Sequence, residues 1–529
     1  MATQPTPVFD QPQAATVTHD EPPPGLDRSP ISDRSFFGHP RGLSTLFFTE
    51  MWERFSFYGI RPLLVLFMTA ALTQGGFGFN RTTASSIVGI YAACVYLASL
   101  PGGWIADRWL GLQRSIFTGG VLIALGHLSI GLSAAFARPA FFLGLILIVM
   151  GTGLLKPNVS AIVGDLYPEG GARRDAAFSI FYMGINTGAF IAPLVTGILG
   201  EQVGWHWGFG AAGVGMLIGV IWFKVRSGPT LGDIGREPSV KDPASQARVR
   251  NIVLAAVAAF AIFVGLAMAG MVHINAVTIA ERMTVAIVAL AVLYFGYLFI
   301  FGGLNGEDKR RVLVILVLFV FSAIFWSAFE QAPTSLNLFA RDYTDRVVFG
   351  WEMPTSWMQA ANSVFVIALA PVFAWIWTAM GKRNLNPSSP AKFAAGLFFA
   401  GLGFLVMLAA ANIVIRGGGQ VRVSPWWLVG SYLFQTFGEL SLSPVGLSSM
   451  TKLAPAKFSG QMMGVWFMAT SLGEIIAGLV GGHIDPEKLN EMPKLFQQTA
   501  MSLLVAAVIC ALLSVPIRRM MRDVPANQQ

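Results

Sequence analysis

The chain has 529 residues, of which 54% are hydrophobic and only 12% charged, and its mean hydropathy is +0.61. Ordinary soluble domains carry about 25% charged residues, so this composition excludes one. The net charge of +8 does not point to nucleic acid, because the Lys and Arg residues lie mainly in short loops between apolar runs, the positive-inside pattern of a membrane protein.

In chain order, residues 1–42 are rich in Pro, Gln, Thr and Asp with no apolar core behind basic residues. They are expected to form a disordered cytoplasmic tail and not a cleaved signal, so the first span must itself direct insertion. Apolar runs near 44–72, 84–106, 115–136, 140–163, 176–199 and 207–224 follow, each long enough to cross a hydrocarbon core of about 30 Å. Together they predict an N-terminal six-helix bundle over 43–226. A basic linker, 227–250, leads to two further runs within 251–303. These hold almost no charge apart from His273, Glu281 and Arg282 near their shared turn. Lacking polar glue, this hairpin is expected to pack outside the bundle and face lipid. Six more runs, within 312–340, 356–380, 392–414, 426–449, 460–480 and 495–517, predict a C-terminal bundle over 304–519, and 520–529 is a second tail. The expected fold is an all-α membrane protein of about fourteen transmembrane helices. Basic loops recur after every second span: Arg108 and Arg114, Arg173 and Arg174, the linker, Lys309 to Arg311, Lys382 to Lys392, Lys452 and Lys457, and Arg518 to Arg522. Both termini are therefore expected in the cytoplasm. Cys94 and Cys510 fall inside apolar runs and imply no disulfide framework.

The first span carries the densest charge. Glu50, Glu53, Arg54, Phe57 and Arg61 recur at steps of three or four and so share one helix face. Ionisable groups at mid-bilayer cost at least about 2.5–3.5 kcal/mol each on insertion scales, and four on one span need partners or a watery cavity. Three more intramembrane charges join them: Lys156 on span four, Glu330 on span seven and Glu439 on span ten, each within a turn or two of Gly or Pro. There a helix bends and frees backbone groups toward a cavity. The alternative is structural ion pairing between helices.

The loop Gly103-Trp-Ile-Ala-Asp107-Arg108-Trp-Leu-Gly111 resembles the signature loop of the major facilitator superfamily. That resemblance gives Asp107 and Arg108 a gating role, as a charge-paired latch; the alternative is a solvated loop whose charges set topology. Glu50-x-x-Glu53-Arg54-Phe55-x-Phe57-Tyr58-Gly59 resembles the first-helix motif of the proton-dependent oligopeptide transporters, a branch of that superfamily. Phe181-Tyr182-Met-Gly-Ile-Asn186-Thr-Gly188, Gly438-Glu439-Leu-x-x-Ser443-Pro444 and Met462-Met463-Gly464-Val465-Trp466-Phe467 are similar to further segments of the family. The resemblance runs from about residue 42 to 520. It implies the superfamily fold of two six-helix bundles, with the extra hairpin that bacterial members have.

It further implies that Glu50, Glu53 and Glu330 bind protons, that Arg54 and Lys156 are charge partners of the first two, and that Arg61 faces Glu330. Arg61 and Lys156 would take a peptide carboxylate, Glu439 its amino group, and Asn186 and Asn362 its amides, with Ser443 in the span-ten motif. Tyr58, Tyr96, Trp326 and Trp466 would line side-chain pockets, although helix packing accounts for each aromatic taken alone. The chemistry of a zwitterion agrees: a bidentate guanidinium suits the carboxylate, amide side chains both donate and accept, and aromatic walls give area without choosing one side chain. Phe57 replaces the family's first tyrosine, Ser115 departs after the signature loop, and Gly89 to Tyr96 lacks the histidine of animal members.

The expected function is a proton-coupled symporter importing di- and tripeptides across the cell inner membrane, a monomer with the proton as coupling ion and no cofactor, metal or nucleic-acid partner. The alternative is symport of another small anion such as nitrate. An enzyme is not expected: the six histidines are scattered, and His-Glu-x-x-His, Gly-x-Ser-x-Gly and phosphate-loop motifs are missing. A channel would show rings of like charge.

Overall fold

The computed structural model describes residues 33–521 apart from 169, 273, 384 and 386, so most of the two expected tails, and His273, lie outside the described residues. The described chain is helical almost throughout. The long helices are α1 (Arg41–Thr69), α2 (Arg81–Ile105), α3 (Leu112–Gly131), α4 (Ser133–Asp165), α5 (Gly171–Gly197), α6 (Trp205–Leu231), α7 (Pro243–Met268) and α8 (Ala276–Ile300). After them come α9 (Gly306–Phe329), the short α10 (Asn337–Tyr343), α11 (Ala360–Lys382), α12 (Ser389–Arg416), α13 (Trp426–Lys452), α14 (Ser459–Gly481) and α15 (Glu491–Met521). Asparagine or aspartate side chains accept the first free N–H groups of four of them: Asn80 for α2, Asp242 for α7, Asn275 for α8 and Asn305 for α9.

Twelve spans are long and apolar enough to cross a membrane, α9 and α10 counting as one. The other two long helices, α1 and α13, have the length but too many polar groups: Glu50, Glu53, Arg54 and Arg61 in α1, and Gln435, Glu439 and several serines in α13. Both carry charge that the sequence singled out, Glu50, Glu53, Arg54 and Arg61 in α1 and Glu439 in α13. The chain is a multi-pass membrane protein of fourteen helical spans.

In the first half α1 packs on α5 and α6, α3 on α4 and α6, and α2 on α4; in the second, α12 packs on α13 and α15, and α9 on α14 and α15. The halves meet chiefly through α2 against α14 and α5 against α11. At the first of these seams Gly89 and Gly478 touch backbone to backbone: a Cβ on Gly478 would lie 2.7 Å from the Gly89 Cα. Glycine at both positions is what lets two membrane helices come this close, and it carries Glu474, one turn before Gly478, against the first half.

The hairpin lies on the outside of the bundle, as expected, and both of its helices are mostly exposed. Helix α7 is largely exposed, as a lipid-facing helix should be, but α8 buries Ala280, Ile287, Ala291, Phe295 and Leu298 along one stripe. That stripe lies against α2, α14 and α9, and the Tyr294 hydroxyl donates to Gln461 Oε1 at 2.7 Å. The repeat of seven, four, four and three residues gives α8 a packing face that its lack of charge does not disclose.

The two halves are fastened at the end where α1 finishes. Arg81 pairs with Asp342 at 2.5 Å and donates to the Ile484 carbonyl at 2.8 Å, and Arg341 donates to Thr69 Oγ1 at 2.8 Å. Glu201 accepts from Thr355 N, Ser356 N and Ser356 Oγ at 2.7, 2.9 and 2.7 Å. The described polar contacts between the halves lie at this end or at mid-depth.

Candidate functional site

Helix α1 runs through the middle of the molecule and is buried along most of its length. Its charged stripe divides into two clusters of the same composition. In the first, Arg54 Nη2 donates to Glu53 Oε1 at 2.7 Å, Arg54 Nε also reaches Glu53 Oε2, and Glu50 Oε1 lies 3.3 Å from Arg54 Nε. In the second, Arg61 Nη2 donates to Glu330 Oε2 at 2.5 Å and to Glu474 Oε2 at 2.8 Å and Oε1 at 3.0 Å. Each arginine therefore serves two carboxylates, and all six side chains are at most 6% exposed.

Phe57, the residue that stands in place of the family's tyrosine, lies between the clusters. The Arg54 guanidinium is 4.9 Å from its ring centre and the Arg61 guanidinium 5.5 Å. A neutral ring attracts both cations without competing for their hydrogen bonds. The missing hydroxyl leaves each arginine to its own carboxylates.

Glu330 is placed by a break in its helix. Helix α9 stops at Phe329, Glu330 takes the capping position, and a π-helical turn, Ala332–Leu336, precedes α10. Pro333 cannot donate to the ladder, so the chain relaxes there and the carboxylate is delivered to mid-membrane. Asn337, just past the turn, donates to the Pro62 carbonyl at 2.8 Å and ties the break to the proline of α1.

The other expected site residues fall on the same space, with differences. Glu439 is held by Asn362 Nδ2 at 3.2 Å, which also donates to Thr436 Oγ1 at 3.0 Å. Glu439 lies within electrostatic reach of Glu330 and, across the halves, of Tyr58 and Tyr182. Ser443 follows it by one turn on α13. Trp326 and Trp466 meet edge to face at 6.4 Å, and the Trp326 indole N–H is buried without an acceptor. Asn186 spends an amide hydrogen on the Tyr182 carbonyl of its own helix at 2.9 Å and keeps its carbonyl oxygen for another partner.

Lys156 forms no ion pair among the described residues. Its ammonium stands 4.3 Å from the centre of the Tyr96 ring, within electrostatic reach of Glu50, Glu53 and Glu474. It is the one cation of the site without a carboxylate in contact, and so the cation readiest for an incoming anion.

At the signature loop the expected charge pairing is not formed. Asp107 is exposed and pairs with no cation among the described residues, Arg108 lies over the Trp104 ring at 5.9 Å, and the Asp107 carbonyl accepts from Val240 N of the linker. The fastening found instead uses Arg81, Asp342 and Glu201 at the far end. Glu201 gives no signal in the sequence, since its partners are two backbone N–H groups and one hydroxyl of a distant segment.

Glu474 completes the Arg61 cluster although nothing in the sequence around it marks it for the site. It lies in an apolar run with no motif around it, and its partner Arg61 is 413 positions away.

The chain is similar in sequence and shape to known proteins. The chain is 51% identical over 500 residues to the peptide transporter YePEPT of Yersinia enterocolitica subsp. palearctica, covering 94% of this chain and 98% of that protein. It is 37% identical over 512 residues to a di-/tripeptide transporter of Lactococcus lactis subsp. cremoris, covering 93% and 99%. The crystal structure of a peptide transporter POT in complex with sulfate superposes with a TM-score of 0.85 at 41% identity over 92% of this chain and 97% of that one. A mutant form of a peptide transporter POT in complex with alafosfalin superposes with a TM-score of 0.83 at 42% identity over 92% and 97%. The profile described as the POT family matches residues 113–494, and on that match and these relatives the chain belongs to the POT family.

Proposed function

We propose that this protein is a proton-coupled symporter that brings di- and tripeptides into the cell by alternating access. The observation that carries the reading is the meeting of Arg61, from one half, with Glu330 and Glu474, from the other, at the centre of the bundle. A peptide carboxylate entering there competes for the guanidinium, and a carboxylate displaced from its cation in a dry site takes a proton. Peptide and proton then favour each other's binding. Lys156 draws the same carboxylate as a point charge, while Glu439, held by a neutral amide and no cation, waits for the peptide amino group. Asn186 and Asn362 serve the backbone amide, and Tyr58, Tyr96, Trp326 and Trp466 give area without side-chain choice. Inward movement of one net charge gains about 2.3 kcal/mol per 100 mV, enough to concentrate substrate.

By the positive-inside distribution of its loops the fastened end faces outward and the conformation is open to the cytoplasm, with both termini there. In that state the signature loop is unlatched, and Arg81–Asp342 and Glu201 hold the outer gate. The membrane is the cell inner membrane, and none of these steps calls for a cofactor.

The assignment of Glu439 is tested by competition. Glu439→Gln weakens inhibition of dipeptide uptake by free-amino peptides about ten- to a hundredfold and leaves amino-blocked peptides within about twofold, as expected for loss of one buried charged contact. Equal losses for both classes remove Glu439 from substrate recognition.

A further inference from the structure

The two carboxylates on Arg61 are not equivalent in what they can do, and the geometry gives the second of them a task. Glu474 Oε2 and Glu330 Oε2 both sit on the same nitrogen, Nη2, so they lie within two hydrogen-bond lengths of each other. Arg61 Nε is buried and has no hydrogen-bond partner among the described residues, so the guanidinium offers the pair one corner and not two parallel donors. Glu330 touches that corner with one oxygen from a break between α9 and α10. Glu474 holds it with both oxygens from the unbroken helix α14, pressed on α2 through Gly478. Glu330 is built to leave and Glu474 to stay.

Several charged or titratable groups among the described residues face Glu474. It sees Arg61 on α1, Glu330 after α9 and Lys156 on α4, with the Tyr91 and Tyr96 hydroxyls of α2 also in electrostatic reach and Glu439 of α13 reaching Glu330. Lys156 is the only other cation in that set, and it stands over Tyr96 without touching either acid. One guanidinium between two buried carboxylates leaves one negative charge over. A peptide carboxylate at Arg61 makes three anions against one cation. Such excess charge in a site this dry is relieved by protonation.

We propose that Glu474 is a second proton-accepting carboxylate of the Arg61 cluster. The empty cluster holds one proton shared between Glu330 and Glu474, and the peptide-loaded cluster holds two, one on each. At a pH high enough to strip the shared proton, binding a peptide then requires two protons to be taken up at Arg61. The other cluster, Arg54 with Glu50 and Glu53, is separated from this one by the Phe57 ring.

The proposal rests on the peptide-symport reading and is tested apart from it. Binding of dialanine to the detergent-purified full-length protein is measured by calorimetry across the pH range, for the wild type, Glu474→Gln and Glu474→Asp. The slope of log Kd against pH counts the protons taken up with the peptide. Its limiting value at alkaline pH falls by one in Glu474→Gln, from about a hundredfold loss of affinity per pH unit to about tenfold, and Glu474→Asp restores the wild-type slope. A residue that merely props Arg61 shifts Kd at every pH and leaves the slope alone. An unchanged slope in Glu474→Gln overturns the assignment and makes Lys156 the compensating charge. A Glu474→Gln protein too unstable to assay, with Glu474→Asp failing to bind, overturns it in favour of a structural anchor. A wild type that binds no dialanine at any pH refutes the symport reading itself.

Discussion

Replacing Glu330 by Gln lowers gradient-driven dipeptide uptake at least tenfold and leaves counterflow exchange within about twofold. The carboxylate sits 2.5 Å from Arg61 at the mouth of a helix break, so it is the acid an incoming peptide carboxylate displaces. Gln keeps the size and one hydrogen-bond acceptor but takes no proton. Peptide therefore still binds and exchanges, because counterflow runs without net proton movement, while the pH gradient loses its principal handle. The remaining driven uptake belongs to Glu474, and the double substitution Glu330→Gln with Glu474→Gln removes it. Equal loss of uptake and counterflow in the single variant would contradict a role for Glu330 in coupling.

Arg61→Leu destabilises the protein by about 3–5 kcal/mol at pH 8, the cost of leaving a buried ion-pair partner uncompensated. Here two carboxylates lose their cation at once. The sign with pH follows from which state is costly. The penalty belongs to ionised carboxylate left without a cation, so it is present in full at alkaline pH and fades on acidification. Unfolding of the purified variant followed at pH 8 and at pH 5 shows the deficit shrinking at the lower pH, and dipeptide binding is lost at both. A deficit of the same size at both values would mean that Arg61 acts through packing.

Much of this was legible before any coordinates. The stripe on α1 follows from helical spacing alone, and the cost of charge in a membrane made Lys156, Glu330 and Glu439 conspicuous in an otherwise apolar chain. Pro333 announced the break that delivers Glu330. What stayed hidden needs facing helices. Glu474 sits in an apolar run like any stray acid until α14 is laid on α2, because periodicity fixes the face a residue shares within its own helix and never its partner 413 positions away. Glu201 is silent for a related reason: its three donors are backbone and hydroxyl groups of a distant turn, and no residue type encodes them. The scarcity of charge in the hairpin places it outside the bundle, and only the facing helices show that α8 touches α2 and α14 along one apolar stripe. At the signature loop the resemblance implies a charge-paired latch, whereas here Asp107 stands apart from cations among the described residues.

The account depends most directly on substrate and proton sharing one carrier. Labelled dialanine is offered to proteoliposomes reconstituted with the wild-type protein under an inward pH gradient, with and without a protonophore, and with nitrate in parallel. Accumulation of dialanine above its outside concentration, collapsing when the protonophore is added and not shared by nitrate, is the expected result. Uptake that only equilibrates dialanine whatever the gradient, or accumulation of nitrate in its place, would contradict it.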